Sequence, residues 1–225
     1  METRRFEPVT IWEYPDFFEK SKRMPYLTIA VIVPAHVRPH LLPIEHRLRY
    51  IDNRHLYFPP EMWHITLKEL GWLGEAMTDA KVEWIYKQLK SLCSQFEPFT
   101  IKIKGVSYFP DVVFWKIESQ EPIKRLHQEI IAYLKEKVAP SQFEGDMFTP
   151  HISLLYFASK DVTKLLTTLE KISDIDICDM QVNSICVTYG YPHLLLTDSE
   201  EEKGNALLCR RKFKLGQGIE RKRAL

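Results

Sequence analysis

An α+β fold built from two lobes of antiparallel sheet is expected for this chain, and three observations lead there. Segments of period two and segments of period three to four follow one another as strand, helix, strand, strand, helix, strand. Two extended segments, one in each half, carry the same pattern: Trp63-His64-Ile65-Thr66-Leu67 and Pro150-His151-Ile152-Ser153-Leu154. The 225 residues, 45% apolar and 27% charged, suffice for a sizeable core in one domain or in two small, closely packed lobes.

The elements follow in order. Residues 1–25 read as an N-terminal extension held to the body by Trp12, Tyr14, Phe17 and Phe18. Tyr26 to Val33 is a β-branched strand stopped by Pro34. Pro39 and Pro43 limit the next helix to about residues 42–51. His55 to Phe58 is a short strand broken by Pro59 and Pro60, and the first patterned strand covers 62–70. Val82, Ile85, Tyr86, Leu89 and Leu92 define a helix over 78–95 capped by Thr78. Residues 99–108 and 112–118 alternate as strands around Phe109-Pro110-Asp111, a hairpin turn. A helix over 121–138 has Pro122 in its first turn, and the second patterned strand covers 148–157. A helix from Asp161, strands near 175–180, 182–189 and 206–214, and a charged hairpin loop at 198–205 complete residues 26–216. Residues 217–225 read as a basic tail.

In an extended strand alternate side chains share a face, so each His projects beside its Thr or Ser while the flanking apolar residues enter a core. Two imidazoles and two hydroxyls can thus meet around one cleft. Imidazole titrates near neutral pH, which suits a general acid and a general base. Thr66 and Ser153 can donate hydrogen bonds to charge developing on a substrate oxygen. Lys68 continues the period-two run from His64 and Thr66, and is a candidate cation for a phosphate. Tyr57, Phe109, Trp115, Phe148 and Tyr156 could stack a base, with Phe148 and Tyr156 best placed beside the second pattern.

Other classes are disfavoured. A net charge of +1 advertises no long nucleic-acid duplex as partner. No apolar run is long enough to span a bilayer and no charged-then-apolar signal segment opens the chain, so a cytoplasmic protein is expected. Cys93, Cys178, Cys186 and Cys209 lack metal-ligand spacing, and Cys178 and Cys186 read as buried thiols of a reducing compartment. His36, His40, His46 and His55 fit no common ligand pattern, so no metal and no cofactor are expected. His127 and His193 read as ordinary surface residues.

With these residues in view, the chain resembles the two-histidine phosphoesterase superfamily, in its 2′-5′ RNA ligase or RNA 2′,3′-cyclic phosphodiesterase branch. The likeness extends over Leu56 to Leu67, over Gly105 through Phe109-Pro110 to Trp115, over Phe148 to Leu154 and over Phe213-Lys214-Leu215. It implies lobes related by a pseudo-twofold, a central groove carrying both motifs, and metal-independent chemistry on phosphodiesters with a ribose 2′-oxygen. It also implies His151 as base and His64 as acid, with weak 2′-5′ ligation in reverse. Many members of the branch carry Arg a few residues after the second His, where this chain has Tyr156. The expected activity is opening of 2′,3′-cyclic phosphate ends on RNA or nucleotides, to the 2′-phosphate, by a monomer. Two other readings stay open: cleavage of another 2′-linked substrate, such as 2′-5′ oligoadenylate or cyclic ADP-ribose phosphate, and a non-catalytic RNA- or nucleotide-binding module. Intact His and hydroxyl residues at both motifs argue against the last.

Overall fold

The computed structural model describes residues 6–141 and 144–217; the tail expected at 217–225 lies almost wholly outside them. Helix α1 (Pro15–Ser21) leads to strand β1 (Tyr26–Ile32), helix α2 (Arg38–Ile51), the short strand β2 (Leu56–Tyr57) and β3 (His64–Trp72). Helix α3 (Asp79–Gln95), the hairpin of β4 (Phe99–Tyr108) and β5 (Val112–Ile117), and helix α4 (Glu121–Leu134) follow. The chain continues through β6 (His151–Tyr156), α5 (Thr163–Lys171), β7 (Asp176–Val182), β8 (Ser184–Gly190), α6 (Glu200–Gly204) and β9 (Leu207–Lys214).

The strands form two antiparallel sheets, ordered β3-β1-β8-β9 and β2-β6-β5-β4-β7. Each sheet turns an apolar face into the core. Leu27, Ile29, Val31, Ile65 and Leu67 supply it in the first, and Ile101, Ile103, Trp115, Ile152 and Leu154 in the second. Each such side chain contributes about 1.5–3 kcal/mol by leaving water. The sheets meet where β3 lies against β6. Beneath that seam the fully buried rings of Trp63 and Trp115 pack edge to face at 4.6 Å, and Trp63 Nε1 donates to the Phe58 carbonyl at 3.1 Å. The residue preceding the first motif histidine is thereby fixed against the core of the other lobe.

The cap expected at Thr78 is present, its hydroxyl accepting from Lys81 N at 3.3 Å. The turn at Phe109-Pro110-Asp111 is closed by Phe109 N donating to Val112 O at 2.8 Å. Gly105 has φ +56° and lies so close to the Ser173 carbonyl that a Cβ would stand 2.2 Å from it, so only glycine fits. The N-terminal segment runs beside this hairpin: Val9 N donates to Pro110 O at 2.7 Å and Ile11 N to Phe157 O at 2.9 Å. Phe17 packs on Tyr26 and Trp72, whereas Trp12 remains exposed.

Several expectations need correction. The second helix begins at Arg38, four residues before the expected start. Pro39 occupies its first turn, where no N–H is required, and Pro43 forfeits one bond while Leu41, Ile44 and Leu48 anchor the buried face. The charged loop at 198–205 instead contains the short helix α6, capped by the Ser199 hydroxyl, which accepts from Glu202 N at 3.3 Å. The helix at 121 ends at Leu134, short of 138. Cys186 is bonded to Cys209 across β8 and β9, with Cα atoms 5.7 Å apart. Strand pairing brings together two cysteines whose sequence separation of 23 gave no such sign. Cys178 is only half-buried. Among the described residues, no helix is long and apolar enough to cross a membrane.

Candidate active site

Both motif strands contain a bulge at the same place, and it decides which side chains enter the groove. Along β1, Ile32, Ala30 and Thr28 alternate on one face; their partners on β3 are His64, Thr66 and Glu69. The other face pairs Val31 with Ile65 and Ile29 with Lys68. Leu67 is therefore the extra residue, and β3 resumes its groove face at Glu69. Along β5, Lys116, Phe114 and Val112 pair with His151, Ser153 and Tyr156, whereas Trp115 and Val113 pair with Ile152 and Leu155. Leu154 is the extra residue there. The groove is thus lined in matching rows: His64 with His151, Thr66 with Ser153, Glu69 with Tyr156.

The two imidazoles are held in the same way. His64 Nδ1 lies 2.5 Å from the Met62 carbonyl and His151 Nδ1 lies 2.8 Å from the Thr149 carbonyl, in each case two residues back. A carbonyl only accepts, so Nδ1 carries the hydrogen in both rings and Nε2 keeps its lone pair. The 3₁₀ turns Pro60–Met62 and Gly145–Met147 lead into the strands just before those carbonyls. His151 also touches the rings of Phe109 at 5.2 Å and Phe114 at 5.0 Å.

Burial pushes the His64 pKa below its ordinary value; the Met62 carbonyl opposes this and the charge of His151 adds to it. Burial likewise lowers His151, against the Thr149 carbonyl and the nearby Asp111 carboxylate, which favour its cation. The two rings therefore lie within electrostatic reach of each other, and a proton on one disfavours a proton on the other.

The structure places the other candidates differently. Lys68 does not share the face of His64 and Thr66, because the bulge at Leu67 turns it inward. It is 2% exposed, paired with the Glu144 carboxylate and donating to the Ala139 carbonyl at 3.1 Å. Phe148 is buried, stacked on His127 at 3.7 Å. His127 is likewise buried, not on the surface: Nδ1 donates to the Leu67 carbonyl at 2.6 Å, and Nε2 accepts from Gly145 N at 3.3 Å. Tyr156 does lie on the groove face, half-buried, with its ring 4.9 Å from that of Phe58. Burial raises its pKa, so the phenol stays neutral. Trp115 and Tyr57 are core residues. His193 is half-buried, its backbone N–H donating to Ser21 Oγ at 2.9 Å.

Two groove residues had no sequence signal that singled them out. Lys116 shares the face of His151 through the β5–β6 register, which the sequence does not disclose. Glu69 reaches the groove only because of the bulge. Among the described residues no group of three or more His, Cys, Asp or Glu side chains could hold a metal ion. His55, one of the early histidines, is buried and accepts from Ala158 N at 3.2 Å through Nδ1.

Residues 34–190 match the 2′-5′ RNA ligase superfamily. The chain belongs to this superfamily, the two-histidine phosphoesterases, and is an enzyme of that hydrolase class. It is 25% identical over 164 residues to the RNA 2′,3′-cyclic phosphodiesterase of Methanothermobacter thermautotrophicus, covering 70% of this chain and 85% of that protein. It is 29% identical over 134 residues to the enzyme of the same name from Aquifex aeolicus, covering 57% of this chain and 69% of that one. The fold is shared with E. coli LigT, solved in complex with 3′-AMP, at a TM-score of 0.64 and 15% identity over 87% of this chain and all of that one. A Thermus thermophilus protein superposes at 0.65 and 19% identity over 85% and 98% of the two chains.

Proposed function

We infer that the chain hydrolyses 2′,3′-cyclic phosphate ends of RNA or nucleotides, without a metal, to leave the 2′-phosphate. The observation that carries this is the mirrored pair of imidazoles, each with its Nδ1 hydrogen tied to a carbonyl and its Nε2 left with a lone pair, each followed by a hydroxyl on the same strand face. The name shared by the two relatives above supports the same reading.

In this reading one imidazole takes a proton from water as its oxygen bonds to phosphorus. The other gives a proton to the ribose O3′ as the P–O3′ bond breaks. Thr66 and Ser153 donate to the non-bridging oxygens, where negative charge builds, and Lys116 adds a cation on the same face as His151. Burial lowers both imidazoles, while the Met62 carbonyl favours the His64 cation and the Thr149 carbonyl and Asp111 favour that of His151. The resemblance implies His151 as the base and His64 as the acid of ring opening. The roles exchange in the reverse, ligating direction. Tyr156 and Phe109 flank this row and are the rings best placed to meet a base.

The test is incubation with the four nucleoside 2′,3′-cyclic phosphates and a 2′-5′-linked dinucleotide, with EDTA present, and phosphorus NMR of the products. Conversion of the cyclic esters to 2′-monoesters is expected. Cleavage confined to the 2′-5′ dinucleotide, or an absolute need for added metal, would overturn the assignment.

A further inference from the structure

The third row of the groove is the unexpected one. Beyond His64 with His151 and Thr66 with Ser153, the groove presents a carboxylic acid, Glu69, facing a phenol, Tyr156. This row lies one strand repeat past the hydroxyls, about 6–7 Å along the strands. The one lysine adjacent to it in sequence is unavailable, since Lys68 points into the core and is neutralised by Glu144. Positive charge enters the groove face from the other side, through Lys116 beside His151. Past the hydroxyl row the groove therefore meets a carboxyl group, hydrogen-bonded by Ser141, whose nearby cation Lys68 is already paired with Glu144, so that the three charges sum to a net negative one. Tyr156 contributes no charge there, and Asp111 and Tyr14, which lie near its ring, contribute no positive charge.

The consequence follows from charge alone. A 2′,3′-cyclic phosphate carries one negative charge, whereas the monoester formed by opening it carries close to two above pH 7. Coulomb repulsion from a fixed carboxylate is proportional to ligand charge, so it acts twice as strongly on the product. We propose that Glu69 makes the groove selective by charge, admitting monoanionic cyclic phosphodiesters and expelling dianionic phosphomonoesters, including the product of the reaction. The selection rests on the cyclic phosphodiesterase reading of the same site. Its benefit to such an enzyme is release of a product that would otherwise hold both imidazoles and both hydroxyls. Nucleotides bearing additional phosphates are disfavoured for the same reason.

The test compares the unaltered protein with Glu69→Gln, which keeps the shape of the side chain and removes its charge. At pH 8 and low ionic strength, calorimetric titration gives the Kd of 2′-AMP, and steady-state kinetics give the KM of adenosine 2′,3′-cyclic phosphate. The substitution should tighten 2′-AMP by about tenfold and the cyclic ester by about threefold, half the effect on a logarithmic scale. Both gains should shrink as salt is raised. Equal tightening of the two ligands, or no tightening of either, would overturn the selection. Should Glu69→Gln fold poorly, the unaltered protein still decides: it should bind 2′-AMP more weakly than the cyclic ester, and tighter product binding overturns the idea. The two readings fail separately. Absence of turnover with 2′-AMP still tightened by Glu69→Gln would sink the catalytic assignment and keep the charge effect. Turnover with an unchanged product Kd would do the opposite, and no binding of either ligand to either protein would remove both.

Discussion

At the level of single residues, the site depends on which nitrogen each imidazole leaves free. The Met62 and Thr149 carbonyls fix that choice by accepting the Nδ1 hydrogens, so Nε2 keeps its lone pair in both rings. His64→Ala and His151→Ala should each lower turnover of a cyclic phosphate by about a hundredfold or more, the scale expected for losing a general acid or base. Neither should unfold the protein, because both rings are only partly buried while their apolar neighbours Ile65 and Ile152 are fully buried and carry the packing. Stopped-time assays with far-ultraviolet circular dichroism check both halves of this expectation, and full activity in both variants would move the chemistry elsewhere. Both motif pairs were legible in the sequence because a His and a hydroxyl two apart, framed by apolar residues, need only the strand period to share a face. Lys68 defeated the same logic. Its neighbours obey the alternation up to Leu67, and no feature of the sequence announces that the strand loses step there.

At the level of elements, the two bulges and the loop before β6 hold the motifs in register with one another. Lys68 reaches from β3 to Glu144 and the Ala139 carbonyl, while His127 of α4 links the Leu67 carbonyl to Gly145 N and stacks on Phe148. The segment leading into the second motif is thus tied to the strand carrying the first. Removing one partner of a buried ion pair strands the other, at a cost of about 3–5 kcal/mol. Lys68→Met should therefore lower the urea midpoint strongly, and Lys68→Met with Glu144→Leu should recover most of the loss. A single variant as stable as the unaltered protein would show that the pair contributes nothing. Most strands and helices were readable from periodicity and caps, as at Thr78 and the Phe109-Pro110-Asp111 turn. The misses have local causes: Pro39 and Pro43 suggested a later start for α2, a run of acids at 200–202 concealed the short helix α6, and the Cys186–Cys209 bond needs strand pairing to become visible. His127 looked like a surface residue because one histidine on an amphipathic helix gives no sign that its face is covered.

At the level of the whole molecule, the histidines make stability depend on pH in a direction that can be worked out. His55, His64, His127, His151 and His193 all have pKa values pushed down, in each case chiefly by burial. The unfolded chain therefore binds protons near pH 6.5 that the folded chain still refuses, and stability is lost as pH falls through that range. Two of the rings also act as acceptors when neutral: His127 Nε2 takes Gly145 N–H and His55 Nδ1 takes Ala158 N–H, bonds that protonation would break. Asp52, held low by Arg54, adds a further loss only at lower pH, near the ordinary carboxylate range. Glu69 and Asp111 work against the trend, since burial raises their pKa values and favours the fold when they are protonated. Five imidazoles against two carboxyls leave the histidine effect dominant between pH 7.5 and 5.5. The melting temperature should fall across that interval by about 5 °C or more, the scale of roughly 1–2 kcal/mol in a chain of this size. Differential scanning calorimetry at fixed ionic strength measures it, with His127→Gln as the comparison: an uncharged amide able to donate to Leu67 and accept from Gly145 should flatten part of the slope. A flat profile in the unaltered protein would mean that the buried imidazoles take up protons in the fold as readily as in the unfolded chain.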